Sequence, residues 1–398
     1  MSGPLQGVRV IDIASSYAAP TASMYLADMG ADVIKIEPLR GDDARGWGPP
    51  FLNGEAAWFL SANRNKRSLC LDLRSDRGRD VLFELLATAD VFIENIVPTK
   101  LEKHGLGLDA LRERFPQLVI CAFSGFGLDG PDAGLPGYDL IAQARSGLMS
   151  VTGDDGLPQR VSTALSDVAS GTVAAFAIAA ALVRQQQTGT GELVDVALLE
   201  ADLALMSPRI ASFLAGEPEP SPCGGMDSVV AIYQSMRTAD RTIVIALGND
   251  NHWQRACAAL GLDHLAEREE LSTNAGRRAH RMEVVAEIQR TLEVLSSTDA
   301  LKLLQDVGVP CAQINYLSEV VSDPQVVARG AIVDYQHPVA GVFRGVGAPW
   351  RLASDPADRQ ARIPAPVRGE HGREILREIG LQDEGIDELA EENVIWLQ

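Results

Sequence analysis

The stretch TALSDVASGTVAAFAIAAALV, residues 163–183, sets one carboxylate, Asp167, at the head of a run with no charge from Val168 to Val183. The run is small and rich in alanine, which predicts a helix, and a helix apolar on every side predicts burial. An aspartate at such a place has two uses. Ser166 or Asp167 can cap the helix by accepting from its first N–H groups. Alternatively, the helix aims a carboxylate nucleophile into a cleft, and its N-terminus favours the ionised form. Other chemistry is sparse. The six histidines fall into no metal-ligand spacing, and Cys70, Cys121, Cys223, Cys257 and Cys311 form no C-x-x-C pair, so no metal site is expected.

The formal net charge of −19 speaks against a nucleic-acid partner, and a polyanionic ligand would need a local basic island. NRNKRSLCLDLRSDRGR, residues 63–79, offers Arg64, Lys66, Arg67, Arg74, Arg77 and Arg79. That island fits either a polyanion or a solvated strand edge and helix start.

The elements that would position these groups alternate along the chain. GVRVIDIA (7–14) reads as a buried strand, PTASMYLADMGA as a helix with Pro20 in its first turn, and DVIKIE (32–37) as a second strand. Glu37 ends this βαβ unit where a dinucleotide enzyme holds a ribose. The turn ASSYAAPTAS contains no glycine, however, so the phosphate cradle is missing and a nicotinamide enzyme is not expected. RSLCLDL, DVFIEN and LVICAFSGF read as further strands, with DRGRDVLFELLATA and LDALRERFP as helices between them. This predicts an α/β fold with a Rossmann-like parallel sheet covered on both faces. After the Gly/Pro-rich loop GLDGPDAGLPGYD (127–139), LIAQARSGLMSVTG reads as a single helix running into a loop. TGTGELVDVALLEADLALM then gives a strand and a helix.

At 398 residues the chain is long enough for two or more domains. Residues 1–200 read as a large α/β domain completed by 330–398, and 201–224 as a linker whose LAGEPEPSPCGGMD stretch is dense in Pro and Gly. Residues 225–325 read as a smaller α+β domain, and 326–398 as a linker and return to the large one. The start MSGPLQGVRV lacks a signal segment, and the apolar run Ala174–Val183 is about half the length of a membrane span. Scattered free cysteines suit a reducing compartment, so a cytoplasmic protein with no membrane partner is expected.

With these segments in order, the sequence resembles the class III CoA-transferase family, which includes formyl-CoA:oxalate and carnitine CoA-transferases. The resemblance rests on LADMGADVIKIEP, NRNKRSLCLDL, VFIENIVP, LPGYDLIAQARSGLMSVTG, TALSDVASG, TGTGELVDVALLEA, GNDNHWQRACAALG and GEHGREILREIGL. It implies that Asp167 is the catalytic carboxylate, acting on an acyl-CoA through a mixed anhydride and an aspartyl-CoA thioester. It implies oxyanion donors at the backbone of Tyr17 and Ala18, and at Gly224 and Gly225, where linker flexibility is the other reading. CoA contacts are implied at Arg40, Leu71, Asp72, Arg74, Asn95, Ile96, Val97, Lys103 and Tyr138. It also implies an open ring of two domains that interlocks with a second copy of the chain.

A 2-methylacyl-CoA racemase of the same fold is the alternative. Such enzymes pair the aspartate with a histidine in a G-H-D loop, and here the loop reads Gly137-Tyr138-Asp139. A phenol does not replace an imidazole that works near neutral pH. A catalytically dead CoA-binding protein is the remaining reading, but no signature residue is degraded. The expected substrates are an acyl-CoA such as succinyl-CoA or acetyl-CoA and a small carboxylic acid, by default a short dicarboxylate. Arg145, Arg160 and Arg209 are the candidates to meet its second carboxylate.

Overall fold

The computed structural model describes residues 3–154, 156–353 and 363–398. Part of the expected return segment, 354–362, lies outside them. The chain divides into two compact units, Met1–Ser146 with Val161–Ile210 and Pro324–Gln398, and Gly147–Arg160 with Ala211–Asp323.

The larger unit is built on a seven-stranded sheet. Its strands are β1 (Arg9–Asp12), β2 (Asp32–Glu37), β3 (Lys66–Leu71), β4 (Val91–Glu94), β5 (Val119–Ser124), β6 (Leu193–Ala197) and β7 (Ile395–Trp396). Their order across the sheet is β6-β5-β4-β1-β2-β3-β7. All neighbours are parallel except β7, which runs against β3 with Ile395 opposite Leu71. The order reverses between β1 and β4. In doubly wound sheets a crevice opens at that point, beyond the carboxyl ends of the strands.

Alternating side chains send each strand into two cores. Val10, Val33, Val91 and Val119 face helices α1 (Ala18–Asp28) and α5 (Leu165–Thr188). Ile11, Ile34, Phe92 and Ile120 face α2 (Asp76–Leu86) and the C-terminal helices Gly372–Glu378 and Asp383–Glu391. Two short helices, α3 (Pro98–Lys103) and α4 (Asp139–Arg145), follow β4 and the Gly/Pro-rich loop.

The small residues of α5 let it approach α1 closely. A Cβ on Gly171 would lie 2.7 Å from the Ala18 carbonyl oxygen. Only one side of α5 is buried, through Ser166, Ser170, Gly171, Ala174, Ala175, Ile178, Ala181 and Leu182. The expectation of all-round burial is therefore corrected, because Val168, Val173, Phe176 and Val183 lie exposed on this chain and Phe176 is 76% exposed. At 24 residues α5 has the length and hydropathy of a membrane span, longer than the apolar run alone indicated. Its buried side nonetheless forms part of the core beside the sheet.

Two further expectations change. LIAQARSGLMSVTG is not one helix: α4 ends at Arg145, and Gly147 turns left-handed (φ 81°) before a short helix, Leu148–Val151. The segment 147–160 joins the smaller unit, where Gly224 N–H donates to the Gly153 carbonyl at 2.9 Å. The expected linker from residue 201 begins as helix, because α6 spans Leu198–Leu214. The smaller unit itself packs an antiparallel sheet, Tyr233–Arg237, Thr242–Ala246 and Cys311–Gln313, against helices around the buried Trp253.

Candidate active site

Asp167 is the third residue of α5, and it is not the cap. The N-cap position is Ala164, which has no side-chain acceptor. The helix end is capped from another element: Asp139, at the start of α4, accepts the Ser166 N–H at 2.8 Å. The other Asp139 oxygen accepts from the Gln143 side-chain amide at 2.8 Å, and the Gln143 Oε1 accepts the Val161 N–H at 2.9 Å. The Ser166 hydroxyl donates to Asp202 at 2.7 Å. With capping done elsewhere, neither Ser166 nor Asp167 serves as the cap.

The Asp167 carboxylate accepts no hydrogen bond among the described residues, and only its backbone carbonyl is engaged, by Ser170 at 3.1 Å. Burial, reinforced by the Asp139 and Asp202 carboxylates, pushes its carboxyl up to about 7. A group of this kind can hold or lose a proton at neutral pH, and once ionised it is poorly solvated and reactive.

Asp167 opens on a cleft of about 350 Å³ at the point where the strand order reverses. Ser15, Ser16 and Ala18 beyond β1, Asn95, Ile96 and Val97 beyond β4, and Tyr138 line it with Trp47 and Lys100. A second cleft of about 460 Å³ is lined by Arg40, Leu71, Asp72, Arg74 and His104, and Ile96 borders both. Of the expected CoA contacts, eight therefore line one or other of these two clefts. Lys103 lines neither and points to solvent. Its neighbours on the same helix face the clefts instead, Lys100 the first and His104 the second.

The turn between β1 and α1 is held by buried charges that sequence reasoning missed. Lys35 pairs with Asp42 at 2.8 Å and donates to the Ala14 carbonyl at 2.8 Å. Asp42 accepts from the N–H groups of Ser16 (3.1 Å) and Ala44 (2.9 Å). Asp12 accepts from the Ala14 N–H, the Ser23 hydroxyl and Lys66, the last at 3.3 Å. Burial disfavours the charge on Asp42, but Lys35 together with the Ala44 and Ser16 N–H groups holds the carboxyl below its usual range. Burial pushes Lys66 down to about 7 against the pull of Asp12.

This scaffold keeps Ser16 in the left-handed region, φ 75°, which a residue with a Cβ adopts only when its surroundings require it. Tyr17 follows as the N-cap of α1, with its phenol bonded to Ser61 at 2.9 Å. The N–H groups of Tyr17 and Ala18 thus sit at a helix start, where backbone donors lack helical partners. Ala18 lines the cleft itself. A clue was available in the sequence: Asp12, Lys35 and Glu37 are charged residues inside otherwise apolar strands.

Other expectations are redistributed. Gly224 and Gly225 are both left-handed (φ 65° and 81°) and line a cleft of the smaller unit with Tyr233, Val244 and Ile314; the Asp167 cleft is lined by other residues. The basic island does not form a free positive surface. Arg64 is buried against Asp28 and Lys66 against Asp12, while Arg67 meets Asp32, Glu374 and Glu378. Arg77 pairs with Glu392 and Arg79 with Asp76. Of the six, Arg74 is the one that lines either of the two clefts described above, and it is already bridged to Asp72 at 2.8 Å. Glu37, the ribose-binding position of a dinucleotide enzyme, is buried and clamped by Arg45 at 2.7 Å.

The family profile described as CoA-transferase family III matches residues 5–372. The chain belongs to that family. It is 39% identical over 384 residues to a succinate–glutarate CoA-transferase of Agrobacterium fabrum, covering 94% of this chain and 96% of the relative. It is 36% identical to the human succinyl-CoA:glutarate CoA-transferase, covering 98% of this chain and 90% of that one. The crystal structure of a CAIB/BAIF family protein from Brucella suis superposes with a TM-score of 0.82 at 35% identity, over 95% of this chain and all of that one. As a family III member the chain is a CoA-transferase, and CoA thioesters are its substrates.

Proposed function

We propose that the enzyme moves CoA from succinyl-CoA to a short dicarboxylate, glutarate in the first instance, with Asp167 as the covalent intermediary. The observation that carries this reading is a half-buried carboxylate with no hydrogen-bond partner among the described residues, opening on a cleft that borders a second one lined by arginines. The relatives named for succinate and glutarate supply the substrate class.

The reaction balances without an external proton. An Asp167 oxygen attacks the thioester carbonyl, the C–S bond breaks, and a mixed anhydride and CoA thiolate form. The thiolate attacks the aspartyl carbonyl and releases succinate, leaving CoA on Asp167 as a thioester. The acceptor carboxylate attacks that thioester, and the displaced thiolate then takes the new acyl group and restores Asp167. Every intermediate keeps its activation, which a serine ester would not. The N–H groups of Tyr17 and Ala18 stabilise the oxyanions that develop on the way.

In this reading the phosphates of CoA lie beside Arg40 and Arg74, and the pantetheine arm passes Leu71, Asp72 and the Asn95–Val97 turn toward Tyr138. Lys103 is at most a peripheral contact. No metal takes part. The exposed apolar side of α5 supports the interlocked homodimer, and a cytoplasmic location fits the free cysteines. The racemase alternative loses ground because the residue beside Asp139 in this cleft is Tyr138 and no histidine lines it.

Succinyl-CoA incubated with glutarate should yield glutaryl-CoA and succinate without accumulation of free CoA, as read by mass spectrometry. Failure to exchange with any of a panel of carboxylates, or deuterium uptake at C2 of a 2-methylacyl-CoA in heavy water, would overturn the reading.

A further inference from the structure

We infer that Lys100 selects the acceptor by binding the far carboxylate of a dicarboxylate whose near carboxylate reacts at Asp167; this rests on the function proposed above. Twenty residues line the Asp167 cleft, and Asp167 and Lys100 are the charged ones among them. A dicarboxylate entering this cleft brings two negative charges to a site that already holds Asp167, in a chain of net charge −19. One of those charges is consumed in the anhydride. The other persists through every step, and an anion in a partly desolvated cleft requires a positive partner.

The cleft's other polar side chains carry no positive charge, and two of them, Asn95 and Ser124, are committed elsewhere. The Asn95 amide accepts the Ser15 N–H at 3.1 Å and donates to the Ser15 carbonyl at 2.9 Å. The Ser124 hydroxyl accepts the Gly127 N–H at 2.7 Å. Of the arginines considered from the sequence, Arg145 is bound to Asp132 at 2.7 Å and stacked on Phe126. Arg160 and Arg209 also have partners, and none of the three lines the cleft. Among the described residues Lys100 makes no ion pair or side-chain hydrogen bond.

The local fold explains how Lys100 comes to face the cleft. It stands two residues after Pro98, which opens α3 with a fixed φ directly beyond the Asn95–Val97 turn. Its ammonium is a point charge on a flexible stem, whereas a guanidinium would impose a fork geometry. A site built this way accepts diacids of more than one chain length and discriminates against acids with an uncharged tail.

The test compares glutarate with pentanoate, its analogue lacking the second carboxylate, as acceptors from succinyl-CoA. Lys100→Met should lower the glutarate-to-pentanoate ratio of kcat/KM by roughly tenfold to a hundredfold, the effect of losing a hydrogen-bonded charge partner. Affinity for CoA should hold, and Lys100→Arg should restore part of the ratio. In the parent enzyme, glutarate but not pentanoate should protect Lys100 from acetic anhydride, read by peptide mapping. An unchanged ratio, or a loss of CoA affinity that lowers both acceptors alike, overturns the inference and leaves the CoA-transfer reading intact. If the parent does not turn over glutarate yet glutarate still protects Lys100, the substrate reading fails and the binding site stands.

Discussion

Asp42 and Asp167 are two aspartates at the same end of one sheet, and their surroundings are opposites. Asp42 is buried with an ammonium at 2.8 Å and two backbone N–H groups, so its carboxyl lies below the usual range. Asp167 has two carboxylates for neighbours and no donor among the described residues, and its carboxyl rises to about 7. The fold places its cations around the first and withholds them from the second. Buried ion pairs add little net stability, but they hold geometry where it is needed, and here they hold the turn whose residues Ser15, Ser16 and Ala18 line the cleft. The unpaired aspartate is left available for reaction.

The largest effect that can break this comparison is on activity. Asp167→Asn and Asp167→Ser should fold and bind CoA while losing transfer by a factor on the order of 10³ or more, since neither can complete the anhydride and thioester exchange. An active, pure Asn variant would return Asp167 to a structural role. On the paired side the loss should fall on stability. Lys66→Ala leaves Asp12 buried without its cation, at a cost of about 3–5 kcal/mol, visible in chemical unfolding.

Acidity sharpens the contrast. Because Asp167 must be ionised to attack, kcat/KM for the acyl-CoA donor should fall about tenfold per pH unit below pH ~7 and level off above it. Asp202→Asn removes one of the charges that raise Asp167, and should move that limb to lower pH. A limb that stays in place would show that burial and Asp139 set it without Asp202.

The smallest expected effect is a gain. The folded Asp167 carboxyl lies above its unfolded value of about 4, so the native state holds a proton there that the unfolded chain has lost, and stability falls as pH rises between about 4 and 7. Asp167→Asn should therefore raise Tm by a few degrees at pH ~8, with no gain at pH ~4. A Tm below the parent's at both values would mean that Asp167 is paired in solution.

Much of the large unit was legible because strand and helix patterns alternate plainly. Six of the seven sheet strands were expected near their observed positions, and the missed one, Ile395–Trp396, is only two residues long in an acidic helical context. Asp167 stood out as a lone charge before an apolar run. Its freedom from capping was not visible, because Asp139 is 28 residues away and meets it only through the fold. The Lys35–Asp42 pair was hidden for the same reason, although a lysine inside DVIKIE was a signal. The exposed side of α5 could not be told from a buried one by composition, since both are apolar. Lys103 fits the family resemblance, but its neighbours Lys100 and His104 are the residues that line the clefts, a placement set by the fold and not visible in the motif.

The central claim is that an Asp167 oxygen enters the anhydride. Glutarate labelled with oxygen-18 in both carboxyls, turned over with succinyl-CoA, should leave heavy oxygen in the Asp167 carboxyl. Each transfer breaks the glutaryl carbonyl–oxygen bond and leaves the bridging oxygen on the enzyme. Peptide mapping by mass spectrometry should find the label at Asp167 and at no other residue. Glutaryl-CoA formed over many turnovers with Asp167 unlabelled would contradict the account.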